Sequence, residues 1–337
     1  MISLISFTDD QRLLAATVRD VLAKACPPEA VRAARTDPAA RRAAPWRALA
    51  EVGLLGAHVP EEYGGLGLTP LDTVLAFEET GRFAVPGPIV ETAVAAPPLL
   101  RCVASEWLPQ IATGLAAVCV RTEDVPALLD ADIADLLIVQ CGRGAAMAAP
   151  AAATLTPWPS ADPARRLFAG DLTAGVRDEE PGVALTRAFT DAFDHAALAV
   201  AAQLVGAARH LLDTAVAYAK QRHQFGRPIG SFQAVKHQLA DVAVAVEFAA
   251  PTVYGAAAML TAAASDASGD VSAAKLAAAA AAYRAARVAL QVHGAIGYTE
   301  ELDLHLWLAR VWALRTEWGD DRLHRARLRS ALLGPSS

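Results

Sequence analysis

Gln221-Arg222-His223-Gln224-Phe225-Gly226-Arg227-Pro228-Ile229-Gly230-Ser231-Phe232-Gln233 is a polar, glycine-punctuated link between two apolar, periodic stretches. Before it, Leu198, Ala201, Leu204, Val205, Ala208, Leu211 and Leu212 fall on one helical face, and after it Val235, Leu239, Val242 and Val246 do the same. Residues 273–292 and 302–315 continue the pattern. Four or more long helices on short connections predict a helical bundle for residues 188–337. The link itself carries chemistry. An Arg at a helix end makes fork-like bonds to a pyrophosphate, a Phe beside a Gly packs on a flat group, and Gln233 donates and accepts at the next helix start. An ordinary helix–helix turn, with Arg222 as a solvated terminal charge, fits the same residues.

Upstream the chain is helical with loop punctuation. Thr8 followed by Asp9, Asp10 and Gln11 is a capped start, and Leu13, Leu14, Val18, Val21 and Leu22 recur at helical spacing. A second helix begins at Trp46, and a third is expected over residues 71–80. Between them, Val59-Pro60-Glu61-Glu62-Tyr63-Gly64-Gly65-Leu66-Gly67 is a loop with an aromatic anchor. From about residue 116 to 187 the text changes to short β-like runs at 117–120, 135–140 and 182–185, which predicts a small sheet.

Composition narrows the function classes. The 337 residues carry 30 basic and 36 acidic side chains, a formal net charge of −6 with 54% hydrophobic content, and the only dense basic cluster is the short stretch 322–329, so nucleic acid is not an expected partner. The four cysteines are scattered without a CxxC pair, which suits a reducing cytoplasm better than a disulfide framework. Two uncharged stretches, 144–161 and 248–265, approach the length of a membrane span, but prolines in both and hydroxyls in the second argue that no span is present. The eight histidines include no HxxxH pair with an intervening Glu, and no GxSxG elbow occurs, so neither a metal site nor a nucleophilic hydrolase is expected.

A second constellation, Gln291-Val292-His293-Gly294-Ala295-Ile296-Gly297-Tyr298, combines two glycines that admit close backbone approach with the directional polar atoms of Gln291 and His293. A helix ending at Gly294, with His293 complementing its dipole, is the plainer reading.

Taken in order, VPEEYGGLGL at 59–68, RHQFGRPIGSFQAVKHQLADVA at 222–243 and QVHGAIGYTEE at 291–301 resemble the acyl-CoA dehydrogenases, FAD enzymes that desaturate acyl-CoA thioesters between the α and β carbons. The resemblance runs from about residue 7 to 328 and is weakest in the middle third. It implies a mainly α fold with an N-terminal helical domain (1–115), a reduced middle β domain (116–187) and a C-terminal helical bundle (188–337). It also implies that Arg222, Phe225, Gln233, Gln291, His293, Gly294 and Ala295 reach across a dimer interface to hold the ADP portion of a neighbour's FAD.

The departures from the family pattern are specific. Its middle-domain Thr-Glu-Pro-x-x-Gly-Ser-Asp stretch, which beds the isoalloxazine, reads here Val118-Cys119-Val120-Arg121-Thr122-Glu123-Asp124-Val125. Its Glu-Gly-Thr base motif reads Thr316-Glu317-Trp318-Gly319-Asp320, placing Trp318 at the base position and Glu317 one residue early, about 100° round a helix. Trp318 is read as a core or interface aromatic. The alternative base seat falls near Ala196, with Asp194 close. This pattern is similar to the shorter subunit of two-gene α2β2 acyl-CoA dehydrogenases, which in actinobacteria often act on sterol side-chain thioesters. The implied partners are a homologous larger subunit, an acyl-CoA substrate and an electron-transfer flavoprotein. Two alternatives stand beside it: a self-sufficient homo-oligomer with Glu317 or Asp194 as base, and a helical assembly protein that has lost flavin.

Overall fold

In the computed structural model, residues 6–172 and 183–334 are described. The N-terminal helices are α1 (Asp9–Ala25), α2 (Pro28–Ala34), α3 (Ala44–Glu51), α4 (Pro70–Arg82), α5 (Ala96–Val103) and α6 (Leu108–Ala112). The predicted start of α1 is there as a reciprocal cap: Thr8 Oγ1 accepts from the Gln11 amide at 3.2 Å and the Thr8 amide donates to Gln11 Oε1 at 2.9 Å. Just before α5 the chain makes a π-helical turn, Glu91–Ala95, whose wide i→i+5 bonding is rare and concentrates at functional sites.

The middle segment forms two three-stranded sheets. β1 (Val118–Arg121) runs parallel to β3 (Leu136–Cys141), and β3 pairs antiparallel with β4 (Gly144–Ala148), while β2 (Leu128–Leu129) and β5 (Thr154–Trp158) flank β6 (Leu167–Asp171). The predicted strands at 117–120 and 135–140 are β1 and β3, displaced by one residue. The third predicted strand is overturned. Residues 183–185 open the 39-residue helix α7 (Val183–Gln221), and Gly182 lies outside the described residues. Leu185, Ala188, Phe189 and Ala192 are buried at helical spacing there, and that longer periodicity outweighs the local β-propensity of Val183 and Leu185. The bundle therefore begins before residue 188.

A two-stranded hairpin, β7 (His223–Gln224) with β8 (Arg227–Pro228), joins α7 to α8 (Gln233–Thr261), and α9 (Ala267–His293), α10 (Leu304–Thr316) and α11 (Asp321–Leu333) complete the bundle. α7 and α9 run parallel, because the Ser268 hydroxyl donates to Asp194 at one end while Tyr218 stacks on His293 at the other. Helix α8 is long and apolar enough to cross a membrane by length and composition alone. It packs against α9 and α7 in the bundle. α4 lies against α7 at glycine distance: a Cβ on Gly206 would stand 1.8 Å from the Glu78 carbonyl oxygen, and one on Gly81 would stand 2.0 Å from that of Gln203.

Buried arginines lock the three parts together. Arg41, 1% exposed, donates to Asp130 and to both oxygens of Asp132 at 2.6 and 2.9 Å, which ties the N-terminal helices to the middle sheets. Arg310 on α10 donates to Asp162 at 2.6 Å and to the Val85 carbonyl at 2.6 Å, joining all three segments at one point.

Candidate functional site

Where α10 ends, the backbone turns sharply. Glu317 is extended (φ −71°, ψ 137°), Trp318 is left-handed at φ 50°, and Gly319 follows at φ 102° before Asp320 caps α11 by accepting from the Leu323 amide at 2.8 Å. A left-handed tryptophan is strained, so the surroundings must hold it. Lys275, 1% exposed, donates Nζ to the Gly319 carbonyl at 3.0 Å and to the Arg315 carbonyl at 3.2 Å. His324 Nε2 lies 2.9 Å from the Trp318 carbonyl, which can only accept, so Nε2 carries the proton. Burial, with the nearby Lys275 charge, pushes the His324 pKa down to about 4, keeping that imidazole neutral. Burial likewise pushes Lys275 down to about 8. The Trp318 indole is fully buried and donates to Glu91 Oε1 at 3.0 Å.

This turn closes one end of a cavity of about 380 Å³ between the middle sheets and α10. Val120, Pro126, Leu129 and Leu167 line it, Trp158 and Trp312 stand half-exposed on its rim, and Glu91, Arg165 and Glu317 gather at its buried end. Arg165 pairs with Glu317. Glu91 is 2% exposed, and its second oxygen has no hydrogen-bond partner. Burial, reinforced by the Glu317 charge and opposed by Arg165, pushes its pKa up to about 8, so at neutral pH it is a carboxylic acid.

The Glu91 shift makes a stability prediction. Between the unfolded value of 4.5 and the folded value of about 8, the unfolded chain releases a proton that the folded chain keeps, so stability falls as pH rises through that window. Glu91→Gln removes this slope while its amide oxygen still accepts from Trp318. In urea titrations the variant is expected to exceed the native chain at pH 7 by about 3 kcal/mol, the difference vanishing below about pH 4.5. Equal stability at both pH values would refute a protonated Glu91.

The sequence-predicted residues separate into two places. Glu317 does line the cavity, and the expected 100° rotation is wrong: residue 317 has left the helix, so helical spacing does not apply to it. Asp194 is buried on α7 and accepts from Arg327 Nη2 at 2.5 Å and from the Ser268 hydroxyl, facing α9 and α11 rather than the cavity. The other seven residues lie at the far end of α7 and α9. Phe225, at φ 52°, forms the hairpin turn with Gly226, is 91% exposed and meets Phe232 edge-on at 6.1 Å. Arg222, Gln233, Gln291, Gly294 and Ala295 are exposed around it. His293 is buried, its Nδ1 lies 2.7 Å from the Ala289 carbonyl, and its ring stacks on Tyr218 at 4.3 Å, joining the two constellations. Helix α9 does end at Gly294, at φ 66°, where the Gly294 amide donates to the Leu290 carbonyl and a Cβ would meet nothing within 4 Å.

Glu91, Arg165 and Lys275 were not singled out in the sequence. Two of them leave a trace. Glu91 is the lone charge in the apolar run Ile89-Val90-Glu91-Thr92-Ala93-Val94, and Lys275 the lone charge among the small and apolar residues from Val271 to Ala282.

Residues 8–115 match the N-terminal domain of acyl-CoA dehydrogenases and residues 186–333 the C-terminal domain. The chain belongs to the acyl-CoA dehydrogenase family. As a member it is an oxidoreductase whose cofactor is FAD. The acyl-CoA dehydrogenase IpdE2 of Mycolicibacterium smegmatis is 35% identical over 310 residues, covering 90% of this chain and 93% of the relative. The ChsE4–ChsE5 complex from Mycobacterium tuberculosis superposes with a TM-score of 0.83 at 23% identity, covering 98% of this chain and 99% of that one. A steroid acyl-CoA dehydrogenase, Tcur3481–Tcur3483, gives 0.83 at 23% identity, covering 96% and 98%. At that identity the likeness to the solved structures is one of fold.

The two places fit FAD differently. The outward cluster offers the exposed guanidinium of Arg222 and the exposed side-chain amides of Gln233 and Gln291, donors of the kind a diphosphate and adenine require. The cavity offers the isoalloxazine buried carboxyl groups at Glu91 and Glu317. Thr122, which directly follows β1 in the stretch that beds the ring in the family, keeps its hydroxyl buried without a partner and does not line the cavity. The tail fits and the ring does not.

Proposed function

We propose that this chain is the non-autonomous subunit of an α2β2 acyl-CoA dehydrogenase. In that assembly Arg222, Phe225, Gln233 and Gln291 through Ala295 hold the ADP portion of an FAD whose ring and catalytic carboxylate belong to a homologous larger subunit. One observation carries this reading. Phe193 on α7 meets Trp318, beside the cavity, with ring centroids 6.0 Å apart, whereas Tyr218 on the same helix stacks on His293 in the outward cluster. At 1.5 Å per residue those two points are about 37 Å apart, farther than an extended flavin dinucleotide reaches. The cluster therefore grips a cofactor centred on another chain or none. That two of the similar folds come from two-component assemblies, ChsE4–ChsE5 and Tcur3481–Tcur3483, supports the pairing, and the steroid substrate class of the second supports a sterol-derived thioester.

When bound, FAD takes the β-hydride of the thioester as a carboxylate removes the α-proton, and an electron-transfer flavoprotein then takes the electrons. Expressed alone, this chain is expected to purify colourless and inactive. Co-expressed with its larger partner, it is expected to give a yellow, active heteromer with one FAD per pair of subunits. A yellow, active homo-oligomer of this chain defeats the reading, and absence of flavin absorbance from the native complex favours a non-flavin assembly role.

The self-sufficient alternative draws support from the position of Glu317 on the cavity. Its pairing with Arg165 opposes that role, because the carboxylate is turned onto a buried guanidinium rather than left free to meet a substrate proton. Glu317→Gln in the heteromer is expected to leave kcat within about twofold. A loss of 10²-fold or more, the scale of a missing general base, would assign it the proton transfer.

A further inference from the structure

The exposed residues of the outward cluster come from two segments far apart in the chain. One is the end of α7 with its hairpin. There the Arg222 amide donates to the Tyr218 carbonyl at 2.8 Å and the Ile229 amide donates to the Arg222 carbonyl at 2.8 Å. A Cβ on Gly230 would stand 3.0 Å from the Ala219 carbonyl oxygen, so the hairpin is folded onto the last turn of α7 and Arg222 moves with Tyr218. The other segment is the end of α9 with the turn that follows it. A Cβ on Gly297 would stand 3.1 Å from the His293 Cβ, so the Gly294–Tyr298 turn is folded onto His293. Between the two segments stand two stacked rings, Tyr218 and His293, with centroids 4.3 Å and planes 28° apart. The His293 ring is anchored on its own helix. Its Nδ1 lies 2.7 Å from the Ala289 carbonyl, which can only accept, so Nδ1 carries a proton and the ring cannot turn without breaking that bond.

We propose that Tyr218 and His293 are a positioning pair that sets the spacing between Arg222 on one side and Gln291 with the Gly294–Ala295 backbone on the other. His293 serves the grip through this stack rather than by touching the nucleotide. It is 6% exposed and has little surface to offer a ligand, whereas Arg222, Gln233 and Gln291 are exposed around it. Donors held at a fixed spacing lose less freedom on binding than donors on two chain ends that move independently, so the rings contribute affinity without a contact of their own. An aromatic pair contributes about as much as one tenfold step in binding. The positioning role rests on the two-subunit reading and deepens it.

The test follows the FAD affinity of the heteromer, read from flavin fluorescence on dilution of the holoprotein, beside the urea midpoint of this chain alone. Tyr218→Leu, which removes the ring, is expected to weaken FAD about tenfold, and Tyr218→Phe, which keeps it, to retain the native affinity. His293→Asn keeps an N–H for the Ala289 carbonyl but has no ring, and is expected to match Tyr218→Leu. With Arg222→Ala already in place, adding Tyr218→Leu is expected to change the affinity less than about threefold, because the guanidinium that the stack places is gone. A pair that merely stabilises the fold would weaken FAD by the same factor with or without Arg222, in step with the urea midpoint. Equal losses in both backgrounds, loss of affinity in Tyr218→Phe, or native affinity in Tyr218→Leu overturns the positioning pair and leaves FAD-sharing intact, since Arg222→Ala alone still loosens the cofactor. Native affinity in Arg222→Ala overturns FAD-sharing itself, and the pair with it.

Discussion

Purified together with its larger partner, the Arg222→Ala variant is expected to lose most of its FAD. Arg222 follows the last turn of α7, where its amide donates to the Tyr218 carbonyl at 2.8 Å and its carbonyl accepts from the Ile229 amide at 2.8 Å, so the backbone is fixed while the guanidinium is exposed. Truncating one member of a charge-assisted, partly desolvated pair costs about 2 to 4 kcal/mol, or roughly 30- to 1,000-fold in Kd. The free subunit should barely notice, since exposed substitutions away from buried networks stay within about 0.5 kcal/mol. Flavin absorbance per heteromer and the unfolding midpoint of the free chain together make the test. Arg222→Lys keeps the charge but not the fork, and is expected to recover only part of the affinity. Full FAD retention by Arg222→Ala would remove this residue from the nucleotide grip.

The Arg41→Ala variant is expected to be severely destabilised, by about 3 to 5 kcal/mol, because it strands the fully buried Asp130 without its cation. Burial already pushes the Asp130 pKa up, with Arg41 the first opposing influence, so losing Arg41 leaves only the Arg166 amide, at 3.0 Å, and distant charge to hold the carboxylate. Acid should lessen the damage: once Asp130 is protonated the uncompensated charge is gone, so the gap between variant and native chain narrows as pH falls. Urea midpoints at neutral and acidic pH measure this. The triple variant Arg41→Met, Asp130→Asn, Asp132→Asn is expected to regain much of the loss, since replacing a whole buried ion group is far milder than breaking it. An unchanged midpoint for Arg41→Ala would mean that the N-terminal helices and middle sheets are held together without this network.

Much of the fold was readable because its determinants are local. Thr8 and Gln11 sit three residues apart and cap α1 as their spacing requires, Gly294 ends α9, and the apolar stripes of α7 and α8 fall where a period of 3.6 puts them. The middle segment was less readable. β4 is Gly144-Ala145-Ala146-Met147-Ala148, helix-favouring by propensity, and becomes a strand because β3 supplies an edge and its alanines fit a shallow, crowded core. Residues 183–185 failed in the opposite direction, alternating like a strand and folding as helix.

The candidate site divides along the same line. Arg222, Phe225, Gln233 and the Gln291–Ala295 segment could be singled out as candidates from sequence because each group lies in one short turn, marked by its glycines and polar side chains. Glu91 was not, because what makes it unusual is a hydrogen bond to Trp318, 227 positions away, and burial beside Arg165 and Glu317. The sequence by itself determined the helical framework, the family and the outward-facing polar cluster, since periodicity and capping act over a few residues. Only the tertiary structure decided that Glu317 faces a cavity in the grip of Arg165, that Asp194 is spent on Arg327, and that about 37 Å of α7 separates the cavity from the outward cluster. Burial, charge pairing and distance through space are properties of chain segments brought together, and no local pattern encodes them.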